Sequence, residues 1–399
     1  MPATEALSLL RTSTSPLEAT TPNGRSSRRR AKLNPRGPLS VSRSDTRPGE
    51  LARQDKPSRL RKRSRAPPRG LLRRTWALPL ALVLGFVALY AVNPTESNIV
   101  HHFLFLSYKI DRHDGQYGKG RWDLAFVGFY TIFLTFTREF IMQEVLRPLA
   151  RLGGIQSRGK QARFMEQMYT ACYFAFAGPL GLYTMKQTPG LWYFETRAMH
   201  ETYPNIAHAA VFKFYYLFQA AYWVQQAIVM VLGQEKPRKD FRELIAHHVI
   251  TITLIFLSYR FHFAYIGIGV YITHDVSDFF LAISKSLNYL NHPAQSSSFA
   301  LCIAAWIYLR HYLNLGILYS IATEYSAVGP FELDWAAQAY KCRVAQVGTF
   351  ALLAALQALN LFWLYCLFRS AYRFVVLGVA KDDRSEDEEE VVLWQGLSR

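Results

Sequence analysis

Cysteine is scarce in this chain, and the spacings of metal-binding histidines are missing. The four cysteines (Cys172, Cys302, Cys342 and Cys366) have no framework spacing, so the sequence implies no disulfide scaffold. Eleven histidines are present, but none stands in the HxxxH or HxxHH arrangement by which membrane hydroxylases and desaturases hold iron. These absences argue against a disulfide-rich secreted protein and against a histidine-box iron enzyme.

Long apolar blocks dominate what is present. Half of the 399 residues are hydrophobic and 15% are aromatic. Blocks long enough to cross a bilayer recur along the chain. We predict an all-α polytopic membrane protein with about eight transmembrane helices, at 76–92, 122–141, 165–185, 212–232, 244–263, 264–283, 299–321 and 346–368. Gly178 and Pro179 are expected to interrupt the third of these.

Charge is unevenly distributed. The formal net charge is +17, and residues 1–75 hold 19 Lys and Arg against 5 Asp and Glu. We therefore expect a disordered basic tail at 1–75 and an acidic tail at 378–399, with the membrane body nearly neutral between them. An even number of spans puts both termini on one side, which the positive-inside rule assigns to the cytoplasm. Nucleic-acid binding is not indicated.

The stretch 246–290 holds the chemistry. It reads as two apolar helices joined near residue 262, and five ionisable side chains lie within it: His247, His248, His274, Asp275 and Asp278. The midpoints of 247 and 278 and of 248 and 275 both fall within one residue of 262. In an antiparallel hairpin the two pairs therefore lie at one depth, about 23 Å from the turn in a core about 30 Å thick.

Buried ionisable groups at membrane depth by default mark a functional site. Three other interpretations remain: a polar network that only holds helices together, a metal site, and a proton-coupled transporter. The missing histidine boxes disfavour the metal site. No internal repeat occurs at a fixed period, which disfavours a transporter built from inverted repeats.

The motifs in this stretch resemble those of a known family. The segments HHVITITLIFLSYRFHF and GVYITHDVSDFFLAISKSLNYLN closely resemble the Lag motif of ceramide synthases, within the TLC domain. The resemblance covers roughly residues 160–375 and is strongest to fungal and plant-type members. The segment 94–121 is too short for the homeobox-like insert of many animal members.

The resemblance implies a fold and a function. The fold would be a TLC-type helical bundle or barrel around an intramembrane cavity. After the first two spans at 76–158, the TLC domain would occupy 159–377, with the Lag motif at about 244–291. The function would be transfer of a fatty acyl group from acyl-CoA to the amine of a sphingoid base in the endoplasmic reticulum membrane. A non-enzymatic TLC lipid sensor or lipid-transfer protein is the alternative.

The family's essential residues carry over onto His247, His248, Asp275 and Asp278. We expect His247 to attack the thioester, and His248 with the Asp pair to orient the imidazole and accept the amine proton. The choice of His247 rests on the resemblance and is open to reversal.

Substrates and partners follow from the same resemblance. Acyl-CoA would be the co-substrate, with no metal and no other cofactor. A homo- or heterodimer with a paralogue and a small single-pass subunit are the expected partners. The basic loop before the motif is a candidate contact for the CoA phosphates, although positive-inside charge explains it equally well. Its basic residues are Lys236, Arg238, Lys239 and Arg242.

Overall fold

The computed structural model describes residues 74–110, 115–235 and 238–377. The predicted basic tail as far as residue 73, the acidic tail 378–399 and Lys236 lie outside the described residues. The described chain is almost entirely helical, with two short antiparallel strand pairs. The all-helical fold class predicted from the apolar blocks is thus confirmed in its coarse form.

The helices follow the predicted apolar blocks. In chain order they are α1 (Ala77–Val92), α2 (His101–Leu104), α3 (Trp122–Phe140), α4 (Arg147–Leu152), α5 (Arg158–Gln187), α6 (Thr196–Glu201), α7 (Ala210–Val231), α8 (Phe241–Arg260), α9 (Ala264–Tyr289), α10 (Gln295–Trp306), α11 (Asn314–Thr323) and α12 (Arg343–Leu377). Two π-helical segments, Ile141–Leu146 and Ile307–Leu313, join α3 to α4 and α10 to α11. The strands are β1 (Gln116–Tyr117), β2 (His208–Ala209), β3 (Leu333–Asp334) and β4 (Ala339–Tyr340).

Five helical stretches of the described chain are long and apolar enough to cross a membrane. They are Trp122–Leu152, Phe241–Arg260, Ala264–Tyr289, Gln295–Thr323 and Arg343–Val376. Helix α1 is apolar but shorter, and α5 and α7 are long enough but more polar. Length and composition alone therefore support a membrane protein with five candidate spans, three fewer than the number predicted.

The expected interruption at Gly178 and Pro179 is wrong, because α5 runs unbroken through both residues. Proline removes only one backbone donor, and packing against neighbouring helices holds the segment straight enough to continue. A Cβ on Gly178 would lie 3.4 Å from the side chain of Val276 in α9, so the two helices are in close contact there.

Helix α9 is the central element of the fold. It packs most extensively against α5 and α10. In its most apolar stretch of 18 residues 56% of the residues are buried, against 11% in the corresponding stretch of α8. Aromatic residues fill the space between α5 and α7, where the rings of Tyr173 and Tyr222 stack with centroids 3.6 Å apart. Helix α8 thus lies at the periphery, and one of its faces remains available to line a cavity.

The connections between helices gather at two ends. Strand β1 pairs with β2, Lys119 Nζ donates to the Tyr259 carbonyl at 3.2 Å, and the Tyr340 amide donates to Tyr203 Oη at 2.7 Å. These contacts bring together four connections between helices, formed by the described residues of 93–121, 188–209, 261–263 and 324–342. We call this end of the fold the strand end. At the opposite end, Trp363 Nε1 donates to Asp240 Oδ2 at 3.0 Å.

Candidate active site

The α8–α9 hairpin places the predicted site residues in the interior. The chain reverses at residues 261–263, and His262 takes φ = 65° there. The predicted reversal near residue 262 is therefore confirmed. His247 and His248 on α8 are both buried, and the ring of His247 lies parallel to that of His274 on α9 with centroids 6.5 Å apart.

The two adjacent histidines have different surroundings. The His247 ring lies between the indoles of Trp223 and Trp363, with centroid distances of 5.4 and 5.3 Å, and it lines an internal cavity. His248 donates from Nδ1 to the Leu244 carbonyl at 2.9 Å and does not line that cavity. A carbonyl oxygen only accepts, so this bond fixes the His248 proton on Nδ1. Of these two adjacent histidines, only His247 lines the cavity, together with His274 of α9.

Asp275 is fully buried and held by neutral donors. Its Oδ2 accepts from Tyr215 Oη at 3.0 Å and from Gln219 Nε2. Tyr173 Oη donates to Gln219 Oε1 at 2.8 Å, which orients the amide. Tyr173 of α5 and the polar face of α7 are therefore turned inward toward this carboxyl group.

Asp278 is held by an arginine that the sequence analysis missed. Arg310, in the second π-helical segment, contacts Asp278 Oδ1 at 2.6 Å and donates from Nε to Ser277 Oγ at 2.6 Å. Its Nη1 donates to Asn360 Oδ1 at 3.0 Å. The signal was present, since a buried arginine inside the apolar block 299–321 is itself a mark of function.

Asn360 continues this network to His274. Asn360 Nδ2 donates to His274 Nε2 at 3.2 Å, and His274 Nδ1 donates to the Val270 carbonyl at 2.8 Å. Arg310, Asn360 and His274 thus form one connected chain of hydrogen bonds from Asp278. Within residues 238–377, no hydrogen bond joins either carboxylate directly to His247 or His248.

A cavity of about 500 Å³ begins at these histidines. Its walls are mostly apolar side chains of α8, α9 and α12, including Leu254, Val270 and Leu353. Along α8 and the residue that follows it, the cavity extends from His247 to Phe261. This is fourteen residues, or about 21 Å along the helix axis. It is a long, narrow apolar space with imidazoles at one end.

The β3–β4 hairpin closes the other end of the cavity through Leu333, Trp335 and Tyr340. This closure is firmly held. Lys341 Nζ donates to the carbonyls of His200 at 3.2 Å and Val328 at 2.5 Å. Burial lowers the pKa of Lys341 to about 8.

The basic loop lies next to the histidines at the opposite end. Arg238 lies 4.0 Å from Glu235, and Glu235 also pairs with the buried Arg138 at 2.6 Å. Lys239 and Arg242 are exposed. Of the four predicted CoA contacts, Arg238 is thus partly neutralised, two are open to solvent, and Lys236 lies outside the described residues.

The predicted absence of a metal stays a prediction. In the described part of the chain, no group of three or more His, Cys, Asp or Glu side chains is arranged to hold a metal ion.

Comparison with known proteins places the site in a family. Residues 163–369 match the TLC domain family. The sphingosine N-acyltransferase-like protein FUM17 of Gibberella moniliformis is 57% identical over 348 residues, covering 84% of this chain and 89% of the relative. Sphingosine N-acyltransferase lac1 of Schizosaccharomyces pombe is 48% identical over 80% of this chain and 83% of its own length. Ceramide synthase LAG1 of Saccharomyces cerevisiae is 46% identical over 79% and 77%, respectively.

The family match covers the whole network around the histidines, which lies between residues 173 and 363. The chain belongs to the TLC-domain family and, within it, to the sphingosine N-acyltransferases, or ceramide synthases, of the LAG1 type.

Proposed function

We propose that this acyltransferase is a ceramide synthase, which transfers a fatty acyl group from acyl-CoA to the amine of a sphingoid base. The observation that carries the proposal is the cavity of about 500 Å³ with His247 at one end and apolar walls along its length. Its volume lies in the usual range of ligand pockets. An acyl chain lying in it would bring its thioester carbon to the His247 ring.

His247 is the proposed nucleophile. Its neutral imidazole attacks the thioester carbon, CoA leaves as the thiolate, and the acyl group remains on the ring as an N-acyl-imidazolium, which keeps the ring N–H proton. The sphingoid amine then attacks the acyl carbon and releases the imidazole. Exposure of His247, but not His248, to the cavity supports this choice over the reverse.

His248 and the carboxylates have supporting roles in this mechanism. His248 is fixed with its proton on Nδ1, so its Nε2 lone pair is available to take a proton from the amine. The Asp278–Arg310–Asn360 network holds His274 against the His247 ring and keeps the reacting ring in place. Asp275 would act through Tyr215 and Gln219.

The basic loop is the proposed site for the CoA phosphates. Lys239 and Arg242 are exposed at the end of the fold that holds the histidines, and Arg238 is close enough to act electrostatically on Asp278. Charge reversal by Arg242→Glu should raise the apparent KM for acyl-CoA severalfold through lost phosphate attraction. An unchanged KM would assign the loop to positive-inside charge instead.

We further propose eight membrane crossings, both termini in the cytoplasm, and a location in the endoplasmic reticulum. The gathering of four connections at the strand end supports this count, because each is separated from the next by two helices that run out and back. The strand end would face the lumen. The helices would enclose the cavity as a TLC-type barrel, and a dimer with a small single-pass subunit remains the expected assembly.

The test is an assay of purified protein with a sphingoid base and labelled acyl-CoA, scored for N-acyl product. We expect product from the wild type and none from His247→Ala. Rapid-quench mass spectrometry with acyl-CoA alone should find the acyl group on His247. A wild type that binds lipid but forms no product would indicate a lipid sensor or transfer protein. Product without any acylated histidine would indicate direct transfer, with His247 as a base.

A further inference from the structure

One buried indole next to His247 has no hydrogen-bond partner. Three tryptophans are buried in the described chain, and two of them donate: Trp306 Nε1 to the Asn360 carbonyl at 3.4 Å and Trp363 Nε1 to Asp240 Oδ2 at 3.0 Å. Trp223 is 7% exposed, and its Nε1 has no partner in residues 74–110, 115–235 and 238–377. Buried N–H groups in proteins almost always have a hydrogen-bond acceptor. An acceptor atom on a bound substrate would satisfy the Trp223 N–H.

The position of this donor is informative. Trp223 lines the cavity from α7, and its ring stands nearly perpendicular to both imidazoles, at centroid distances of 5.4 Å from His247 and 5.8 Å from His248. The indole therefore lies beside the ring at which the acyl carbon would react. His247 Nδ1 on α8 is also buried and unpaired, but it belongs to the ring proposed as the nucleophile. Among the other described lining residues at this end of the cavity, Trp223 supplies the unpaired N–H.

We propose that the Trp223 Nε1–H donates to the acyl oxygen and stabilises the oxyanion in both steps of the proposed transfer. When the His247 lone pair forms the N–C bond, the C=O π electrons move onto oxygen; they return as the C–S bond breaks and CoA leaves with its electron pair. When the amine attacks, the same oxygen again takes the negative charge; it loses it as the imidazole leaves and the amine proton passes to a base. A donor fixed in a dry site is well suited to this charge.

The other unpaired donors in the cavity are less well placed. The hydroxyls of Thr251 and Tyr271 also lack partners and belong to lining residues. Thr251 follows His247 by four residues and Tyr271 precedes His274 by three. Both therefore lie about one helical turn farther along the cavity, beside the chain and not its carbonyl. Arg310 is already engaged with Asp278, Ser277 and Asn360.

Trp223→Phe tests the assignment because it keeps an aromatic ring and removes the N–H. Loss of one oxyanion donor typically lowers kcat about 10²–10³-fold, and we expect about 10–100-fold here with the KM for acyl-CoA unchanged. Single-turnover acylation of His247 and aminolysis of the acyl-enzyme should both slow. Trp192→Phe, the same change at an exposed position away from the cavity, should leave both rates unchanged.

A second variant separates chemistry from packing. Replacing Trp223 by 3-benzothienylalanine keeps the shape and puts sulfur in place of the N–H, so it should slow both steps as Trp223→Phe does. Wild-type rates in this variant would overturn the assignment and leave the proposed function standing. A wild type that forms no N-acyl product would overturn both, since the donor role rests on the transfer reaction.

Discussion

Arg310 shows how a single buried charge ties the site together. Its guanidinium contacts a carboxylate, a hydroxyl and an amide from two other helices, and its Cζ lies 3.9 Å from the centroid of the Trp306 ring. Lysine has no planar fork and could not make these contacts at once. Within this ion pair, the Arg310 side chain is 2% exposed and that of Asp278 is 21% exposed, so the pair is largely shielded from solvent.

The first prediction concerns this pair. Arg310→Gln should lower the free energy of unfolding by about 3 kcal/mol, the low end of the range for a broken buried pair, because it leaves the Asp278 carboxylate, 21% exposed, without its partner. Arg310→Gln combined with Asp278→Asn should recover part of that loss, since no lone charge remains. The midpoint of thermal unfolding in detergent measures both effects. Losses that simply add would show that the two side chains do not interact.

The second prediction concerns His200 at the strand end. Burial, with a smaller contribution from the Lys341 ammonium, lowers the pKa of His200 from 6.5 to about 4. Between these values the unfolded chain binds more protons than the folded one, so stability should fall as the pH drops from about 6.5 toward 4. His262, whose pKa is also lowered to about 4, adds to the same trend.

Replacing His200 by glutamine isolates its share of this trend. Glutamine can still bond to Ser320 Oγ, which His200 Nε2 contacts at 3.2 Å, but it takes up no proton. His200→Gln should therefore show a smaller fall in thermal midpoint between pH 7 and pH 5 than the wild type. Superimposable pH profiles would contradict the assignment.

For single residues, the sequence predicted where the site residues lie along the hairpin better than it predicted their hydrogen-bond and ion-pair partners. The count from the turn near residue 262 put the histidines and aspartates at one depth on one hairpin, because helical rise is regular. It could not predict that Asp278 pairs with Arg310 or that Asp275 binds Gln219. Those partners lie 32 and 56 residues away along the chain, and their approach depends on tertiary packing.

At the scale of elements, the β3–β4 hairpin lines the end of the cavity that lies away from the histidines. Trp335 lines the closed end but is 65% exposed, so shortening it should open space at little cost in stability. The hairpin itself is fixed by the Lys341 and Tyr203 hydrogen bonds, which do not involve the Trp335 side chain.

The third prediction follows from that arrangement. Trp335→Ala should shift the preferred acyl group to longer chains, by about tenfold in the ratio of kcat/KM, since a few methylenes in an apolar pocket are worth that much. Competition between labelled acyl-CoAs of different length, read as N-acyl products, gives the ratio. Trp192→Ala, also exposed near the strand end but outside the cavity lining, is the matched control. Equal product profiles would place the chain elsewhere.

Elements were the most predictable level of this fold. All eight predicted apolar blocks are helical. In a bilayer an apolar segment has no water to bond to its backbone, and a helix satisfies all of its N–H and C=O groups internally. The exceptions depend on neighbours: α5 continues through Pro179 because α9 supports it, and the π-helical segment that holds Arg310 gives no signal in hydropathy.

For the whole molecule the open question is how many helices cross the membrane. Within the described residues, five helical stretches qualify by length and composition, and α5 and α7 do not. Yet these two helices turn Tyr173, Gln219 and Tyr215 inward onto Asp275. Their average hydropathy therefore understates how apolar their outer surface is, and a crossing is compatible with their composition.

The last prediction decides between these counts. In an eight-span protein, Trp192 after α5 faces the lumen and Leu232 after α7 faces the cytoplasm. If α5 and α7 do not cross, both residues lie on the same side of the membrane: the cytoplasmic side if α1 crosses, and the lumenal side if it does not. Each is exposed, at 53% and 64%, so a cysteine there should react readily in a background from which the four native cysteines have been removed. In sealed microsomes a membrane-impermeant thiol reagent should label Leu232→Cys at once and Trp192→Cys only after permeabilisation. Equal labelling of the two cysteines in sealed vesicles, whether both react or neither does, would reject the eight-span topology.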